Sequence, residues 1–402
     1  MQKAQIVVDE DDIHFVDIGL SAEPILPTPI RMNSDLRFTG QGVTIAFVDS
    51  DFWPHDDLFD TGHRIVGWYD AVRGREITSI RRRRSVPPRI QMWHGTMASS
   101  TAAGSGHLSG GRYRGIASDA RLVLVSTMTD KYRIQTPQVV RALRWIRDNH
   151  RRLDIRVVNL SLGVDETAES LAHPVIELVE HLVKAGVVVV AASGNNPGNP
   201  IKPPGVSPSA ITVGGYNDNN SSDWMRREMW HSSYLHTLGG GPKPELLGPS
   251  IFIAAPILPK TAVKREAEIL FSMALADDWE LKRLVDEMGD ETGIADQLRK
   301  ARRPLLQRSY VLERMRTEKL ITPDYKHVDG TSFSAPIVAS VAAQVLEARP
   351  ELMPHEVKEI LCRTAVLLKN VPPEVQGYGI VNPEGALAVA VDGGAPEKPY
   401  AE

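Results

Sequence analysis

Four polar residues far apart in the chain, Asp49, His94, Asn195 and Ser332, are of the types that together perform acyl transfer. A serine hydroxyl is a weak nucleophile until a base takes its proton. A neutral histidine can do so, and a carboxylate can fix the imidazole tautomer and stabilise the imidazolium that forms. An amide N–H aimed at the developing oxyanion completes the set. Taken singly each has an ordinary reading: Asp49 as a turn residue, His94 as a helix cap, Asn195 as a loop residue, Ser332 as an N-cap.

Two serines compete for the role of nucleophile in "HVDGTSFSAPIVASVAA", residues 327 to 343. Pro336 lacks an N–H and its ring clashes with a preceding helical turn, so it belongs in the first turn of the helix it enters. The helix is therefore expected to start near Ser332. There the free N–H groups and the positive end of the dipole stabilise negative charge, which suits an oxyanion beside a reacting hydroxyl. Ser334 lies part of a turn further on and reads as a packing residue.

The elements that must position these groups are visible as apolar runs: "VTIAFVDS" (43 to 50), "RLVLVSTM" (121 to 128), "IRVVNLSL" (155 to 162), "VVVVAASG" (187 to 194) and "AITVGG" (210 to 215). They do not alternate, which is the pattern of strands covered on both faces, hence of a buried and mainly parallel sheet. Helical patterns lie between them, notably 136 to 150 and 169 to 186, the second ending on Gly186. The expected fold is a three-layer α/β arrangement. In such a sheet reactive groups gather beyond the carboxyl ends of the strands. Asp49 and Ser161 end runs in this way, and "SGNN" brings Asn195 to the end of another. His94 opens "HGTMASSTAAGSG", whose small residues suit a closely packed buried helix.

Residues 257 to 325 break the rhythm with a charged segment whose apolar residues recur every three or four positions, read as two or three amphipathic helices. Because α/β patterning precedes it and the Ser332 helix follows, it is an insertion within one domain. The division expected is an N-terminal extension 1–36, a domain 37–392 carrying the insertion 257–325, and a tail 393–402. The insertion reads first as packed surface elaboration, with its apolar residues and Trp279 as core, and second as a lid or partner-docking arm.

Of the 402 residues 42% are hydrophobic, enough for a substantial core, and the net charge is −4. The one basic run, Arg81 to Arg84, has no interleaved aromatics, which argues against nucleic acid as a partner. Cys362 stands alone and excludes an internal disulfide framework or a multi-cysteine metal site. The acidic N-terminus does not resemble a secretory signal, and no apolar stretch is long enough to span a bilayer, so no membrane role is expected and the location expected is cytoplasmic.

"VTIAFVDSDFWPHDDL", "HGTMASSTAAG", "VVNLSLG", "VVVVAASGNN" and "GTSFSAPIVASVAA", in this order, resemble the subtilisin-like serine proteases, the subtilases. The resemblance implies a serine endopeptidase acting on proteins or peptides, with Asp49 orienting, His94 as general base and Ser332 as acylating nucleophile. It also implies an oxyanion hole from Asn195 and the Ser332 N–H. Ser161, Leu162 and Gly163 would pair with an extended substrate and wall the pocket for the residue before the scissile bond, opposite Ala192, Ser193 and Gly194. No cofactor is implied for the chemical steps.

The chain departs from the family's pattern in four places. Asp51 follows Asp49 and Ser50 where the family usually has glycine, which bears on local electrostatics. The stretch before the first motif is short for the folded chaperone prodomain typical of secreted members. "GIAS" (115 to 118) replaces the common "GVAP". The insertion separates Asn195 from Ser332, a position from which it could restrict the cleft and receive a regulatory protein. Asp218, Asn219, Asn220 and Asp223 in "YNDNNSSD" offer oxygen ligands, and structural calcium is common in the family, but their spacing is not that of a helix-loop-helix site and a solvated polar turn is the first reading. The competing function is a binding or scaffold protein that keeps the fold with its cleft shut, a reading prompted by Asp51 and the insertion.

Overall fold

The structure, a computed structural model, describes residues 7–9, 12–14, 25–59, 64–164, 166–168, 170–234 and 241–392. Half of the expected extension 1–36 and the whole tail 393–402 thus lie outside the described residues. The chain divides into two compact units, one of Pro27–Ala255 with Val328 onward, the other of Pro256–His327 with the described residues before Pro27.

The larger unit is built on nine strands: β1 (Thr44–Asp49), β2 (Ile65–Asp70), β3 (Arg75–Glu76), β4 (Arg121–Ser126), β5 (Ile155–Leu160), β6 (Val188–Ala192), β7 (Ile211–Asn217), β8 (Glu228–Met229) and β9 (Leu246–Pro249). Their order is β8-β7-β6-β5-β1-β4-β2-β3, with β9 also against β7. Pairing is parallel except at the short edges, where β3 joins β2 and β8 joins β7 antiparallel.

Successive strand residues feed opposite layers. Ile45, Phe47, Leu122, Leu124, Val157 and Val190 share a core with the Met92–Ala103 and Thr331–Ala348 helices. Ala46, Val48, Val123, Val125, Val158 and Val189 share another with the Thr136–Asn149 and Pro174–Lys184 helices. Full burial of both faces explains why the runs do not alternate, each aliphatic side chain contributing about 1.5–3 kcal/mol on burial. This is the three-layer α/β fold.

The helices begin where proline or a cap allows. The second inter-strand helix starts at Pro174, not at 169, because Pro174 needs no N–H partner at the first position and His173 Nδ1 accepts the Val175 N–H. The Thr331–Ala348 helix starts one residue before Ser332, but Pro336 sits in its second turn, not the first. The missing N–H there leaves the Ser332 carbonyl without its intrahelical donor.

In the smaller unit Ala262–Leu275, Asp278–Met288, Ala295–Lys300 and Pro304–Thr317 are separate helices, so the pattern read as two or three contains four. Caps break it: Thr261 accepts the Lys264 N–H and Asp277 the Glu280 N–H. Leu270, Phe271, Leu281, Leu284, Leu298 and Val311 form the unit's own core, while Trp279, expected in a core, is exposed. No helix among the described residues is long and apolar enough to cross a membrane.

Candidate active site

β1 delivers Asp49 to its carboxyl end as a buried carboxylate. The strand end is held by Thr127, whose N–H and hydroxyl both donate to the Asp49 carbonyl, at 2.9 and 2.7 Å. Asp49 Oδ1 accepts the Ser50 N–H at 2.6 Å and stands 2.7 Å from His94 Nδ1. With the proton on Nδ1, this contact leaves Nε2 as the basic nitrogen.

His94 is the third residue of the Met92–Ala103 helix, so it is not a cap. What lets the helix come so close is the next residue. A Cβ on Gly95 would lie 2.5 Å from the Asp51 carbonyl oxygen and 3.1 Å from Asp49 Cβ, and only hydrogen fits there. Burial pushes the imidazole pKa down, but the Asp49 charge and hydrogen bond outweigh it and hold His94 above its ordinary value.

Ser332 follows Gly330 and Thr331 at the start of its helix. Gly330 has φ +129°, a conformation that L side chains rarely adopt, and a Cβ there would also press on the Asn195 amide at 3.3 Å from Nδ2. The Phe333 ring lies 5.4 Å from the His94 imidazole, centroid to centroid, which places the two helices side by side at this point. Ala98, Ala102, Ala335 and Ala339 in the shared core permit that approach. Among the described residues His94 and Ser332 make no hydrogen bond with each other; such contacts often tighten only when substrate is bound. Ser334 is fully buried and donates to the Pro249 carbonyl at 2.9 Å, which makes it the packing serine.

Asn195 is exposed, and its side-chain orientation is set by Thr331. Asn195 Oδ1 accepts both the Thr331 N–H, at 3.0 Å, and its hydroxyl, at 2.8 Å. The amide Nδ2 donor is thereby turned to the opposite side. Thr331 Oγ1 also accepts the Gly194 N–H at 3.2 Å, tying the loop to the helix start.

Ser161, Leu162 and Gly163 continue from β5, and Ala192, Ser193 and Gly194 from the end of β6. β5 and β6 pair in parallel with Leu160 opposite Ala191, so the two segments leave the sheet side by side. Ser161 Oγ accepts from Asn159 Nδ2 at 2.8 Å, Leu162 is buried and Gly163 exposed.

Asp51 is neutralised. Arg83 Nη2 lies 2.7 Å from its carboxylate, Arg89 Nη2 3.0 Å, and the Ser126 hydroxyl donates to it at 2.7 Å. The arginine run thus serves the protein itself: Arg83 also stands over the Trp68 ring, and Arg84 pairs with Asp56. In the loop considered for calcium a guanidinium already holds the central oxygens, since Arg31 lies 3.1 Å from Asp218 and donates to Asn220 Oδ1 at 3.3 Å. Asp223 caps a turn by accepting the Met225 N–H. These residues do not fit a calcium site.

Thr331, Gly95, Phe333 and Arg83 are site residues that the sequence reading did not single out. The adjacency of Gly95 to His94 and of Thr331 to Ser332 was the available signal; Arg83 carried none beyond its charge.

Comparison with known proteins bears on the family and the fold. The subtilase family matches residues 40–379. The chain is 30% identical to serine protease AprX of Bacillus subtilis over 358 residues, covering 87% of this chain and 67% of that protein. It is 29% identical to subtilisin BL of Lederbergia lenta over 183 residues, covering 46% and 59%. Among solved structures it superposes on a cold adapted subtilisin-like serine proteinase with a TM-score of 0.52 at 20% identity, covering 87% and 89% of the two chains. Fervidolysin from Fervidobacterium pennivorans, a keratinolytic enzyme related to subtilisin, gives 0.59 at 17%, covering 91% and 45%.

Proposed function

We propose, since the chain belongs to the subtilase family and is accordingly a serine-type endopeptidase acting on protein or peptide substrates, that Asp49, His94 and Ser332 carry its chemistry. Ser332 Oγ attacks the scissile carbonyl carbon as His94 Nε2 takes the hydroxyl proton, and Asp49 stabilises the resulting imidazolium. The tetrahedral oxyanion is held by Asn195 Nδ2 and the Ser332 N–H. His94 then gives the proton to the leaving nitrogen, the C–N bond breaks and an acyl-enzyme remains. Water repeats the sequence through His94, releasing the acid and restoring Ser332. These protein groups and the hydrolytic water supply every step, and the chemistry calls on no cofactor.

Ser161–Gly163 and Ala192–Gly194 would hold the substrate as an added strand, with alternate side chains read by the slot between them. The observation that carries the proposal is the 2.7 Å contact of His94 with Asp49, made while Thr331, beside Ser332, holds Asn195 by its oxygen. A fluorophosphonate should label the wild type and spare Ser332→Ala; equal labelling of both removes Ser332 from the role.

The helical unit 257–325 is proposed to restrain the protease or receive a regulatory protein, a reading supported by the exposed Trp279 and Leu305 on a unit with its own core. Replacing residues 260–322 by a short linker tests it. Unchanged peptide turnover and unchanged partner binding would reduce the unit to elaboration.

A further inference from the structure

Asn195 opens an exposed stretch that runs on through Pro200, so burial cannot be what fixes the place from which its amide would act. Hydrogen bonds must do so. Three successive carbonyls of this loop are met by the segment 231–233. The Ser233 N–H donates to the Gly194 carbonyl at 2.9 Å, His231 Nδ1 stands 3.1 Å from the Asn195 carbonyl oxygen, and the Ser233 hydroxyl donates to the Asn196 carbonyl at 2.6 Å. Ser233 Oγ also accepts the Asn196 N–H, at 3.3 Å. A carbonyl oxygen can only accept, so the His231 contact is a bond with the proton on Nδ1. The Trp230 ring, 3.8 Å from the imidazole centroid to centroid and 31° from parallel with it, limits how that imidazole can turn.

The segment is in turn pinned to the sheet. Trp230 is buried, its N–H donates to the Gly215 carbonyl of β7 at 3.0 Å, and the Ser232 hydroxyl accepts the Gly215 N–H at 3.0 Å. A Cβ on Gly215 would stand 2.9 Å from Trp230 Cε3, so the indole lies against the bare strand. Position is thus passed from β7 through Trp230 and Ser232 to His231 and Ser233, and from these to the backbone on both sides of Asn195.

A donor fixed in place before the reaction needs no reorganisation when the oxyanion forms. We propose that His231 and Ser233 are positioning residues, which hold the backbone of 194–196 so that the Asn195 amide meets the oxyanion. The inference rests on the reading of Asn195 as an oxyanion donor. Both residues act through Asn195, so their removal should cost nothing further once that amide is gone.

The experiment measures kcat and KM for one peptide substrate on wild type, His231→Phe, Ser233→Ala, Asn195→Leu and the two double variants with Asn195→Leu, each rate normalised to the sites that a fluorophosphonate titrates. His231→Phe keeps an aromatic ring beside Trp230 and removes the donor, while Ser233→Ala removes the hydroxyl and keeps the N–H. Each is expected to lower kcat about tenfold with KM within about twofold, and neither to lower it further on Asn195→Leu. His231 is exposed, so if Ser233→Ala fails to fold, His231→Phe decides the matter. Wild-type kcat in either variant, a loss confined to KM, or additive losses on Asn195→Leu overturns the inference while leaving the catalytic reading intact. A wild type that hydrolyses no peptide and takes up no fluorophosphonate, or an Asn195→Leu variant with wild-type kcat, sinks the reading beneath it, and the inference with it.

Discussion

His94 Nδ1 lies 2.7 Å from Asp49 Oδ1, and this contact sets the pH range in which the imidazole can act as a base. Burial alone would lower the His94 pKa; the Asp49 carboxylate raises it above the ordinary value of 6.5. A protonated His94 cannot accept the Ser332 proton, so kcat/KM should rise with pH through a midpoint above about 6.5. Asp49→Asn removes the raising charge and leaves the burial. Its midpoint should move to lower pH, with kcat reduced on the order of 10⁴-fold. Superimposable pH profiles for the two proteins would contradict this.

The same pair has a consequence for stability. A histidine whose folded pKa is raised stabilises the protein fully below its unfolded pKa, about 6.5, and loses that contribution as pH rises through the folded value. Denaturant midpoints of wild type and Asp49→Asn should therefore differ most in mildly acid solution and converge above neutrality.

Gly95→Ala sets two effects against each other. Alanine favours a helix over glycine by about 1 kcal/mol. The added Cβ, however, would lie 2.5 Å from the Asp51 carbonyl oxygen, and backbone cannot swing aside as a flexible side chain does. Overpacking of about 1–3 kcal/mol should win, and relief of the clash should carry His94 away from Asp49. The expected outcome is a lower urea midpoint together with a lower kcat; a stabilised variant of normal activity would show that the helix is not pinned here.

In the proposed mechanism Thr331 is a positioning residue that acts through Asn195. Thr331→Val removes the hydroxyl that donates to Asn195 Oδ1 at 2.8 Å and leaves only the backbone N–H to orient the amide. A fall in kcat of about tenfold with little change in KM is expected, against about 10²–10³ for Asn195→Leu. The double variant should be no worse than Asn195→Leu alone, since Thr331 then has nothing to position. Additive losses would give Thr331 an independent role.

Asp51 and Arg83 form a nearly buried pair, so their removal should be strongly non-additive. Arg83→Met leaves the Asp51 carboxylate with Arg89 and Ser126 and should cost about 1–3 kcal/mol. Adding Asp51→Asn should recover much of that loss, because no charge is then stranded. Thermal or urea unfolding of the two single variants and the double variant decides it.

Much of the fold is legible in the amino-acid sequence, and the reason is local. Asp49, Ser161 and Asn195 follow apolar runs in which every residue is apolar or nearly so, and burial on both sides of one sheet leaves the reactive positions at its strand ends. The packing role of Ser334 follows from helical spacing. Where local rules failed they did so through neighbours that compete: Pro336 reads as a first-turn residue yet is tolerated a turn later, and Pro174 starts a helix that the apolar pattern alone would begin at 169.

Pairings over long separations were decided only by the folded chain. Asp51 reads as a disturbing second carboxylate, and its neutralisation depends on Arg83 and Arg89 being carried back across the end of the sheet. Asp218 and Asn220 read as oxygen ligands for a cation, and the cation that reaches them is the guanidinium of Arg31, from the other side of the sequence. The amino-acid sequence determined which groups could do chemistry and at which element ends they sit, since backbone propensity and burial act over a few residues. Which charge meets which, and how closely the His94 helix may approach Asp49, depend on the directions in which packed elements arrive, and those exist only in the tertiary structure.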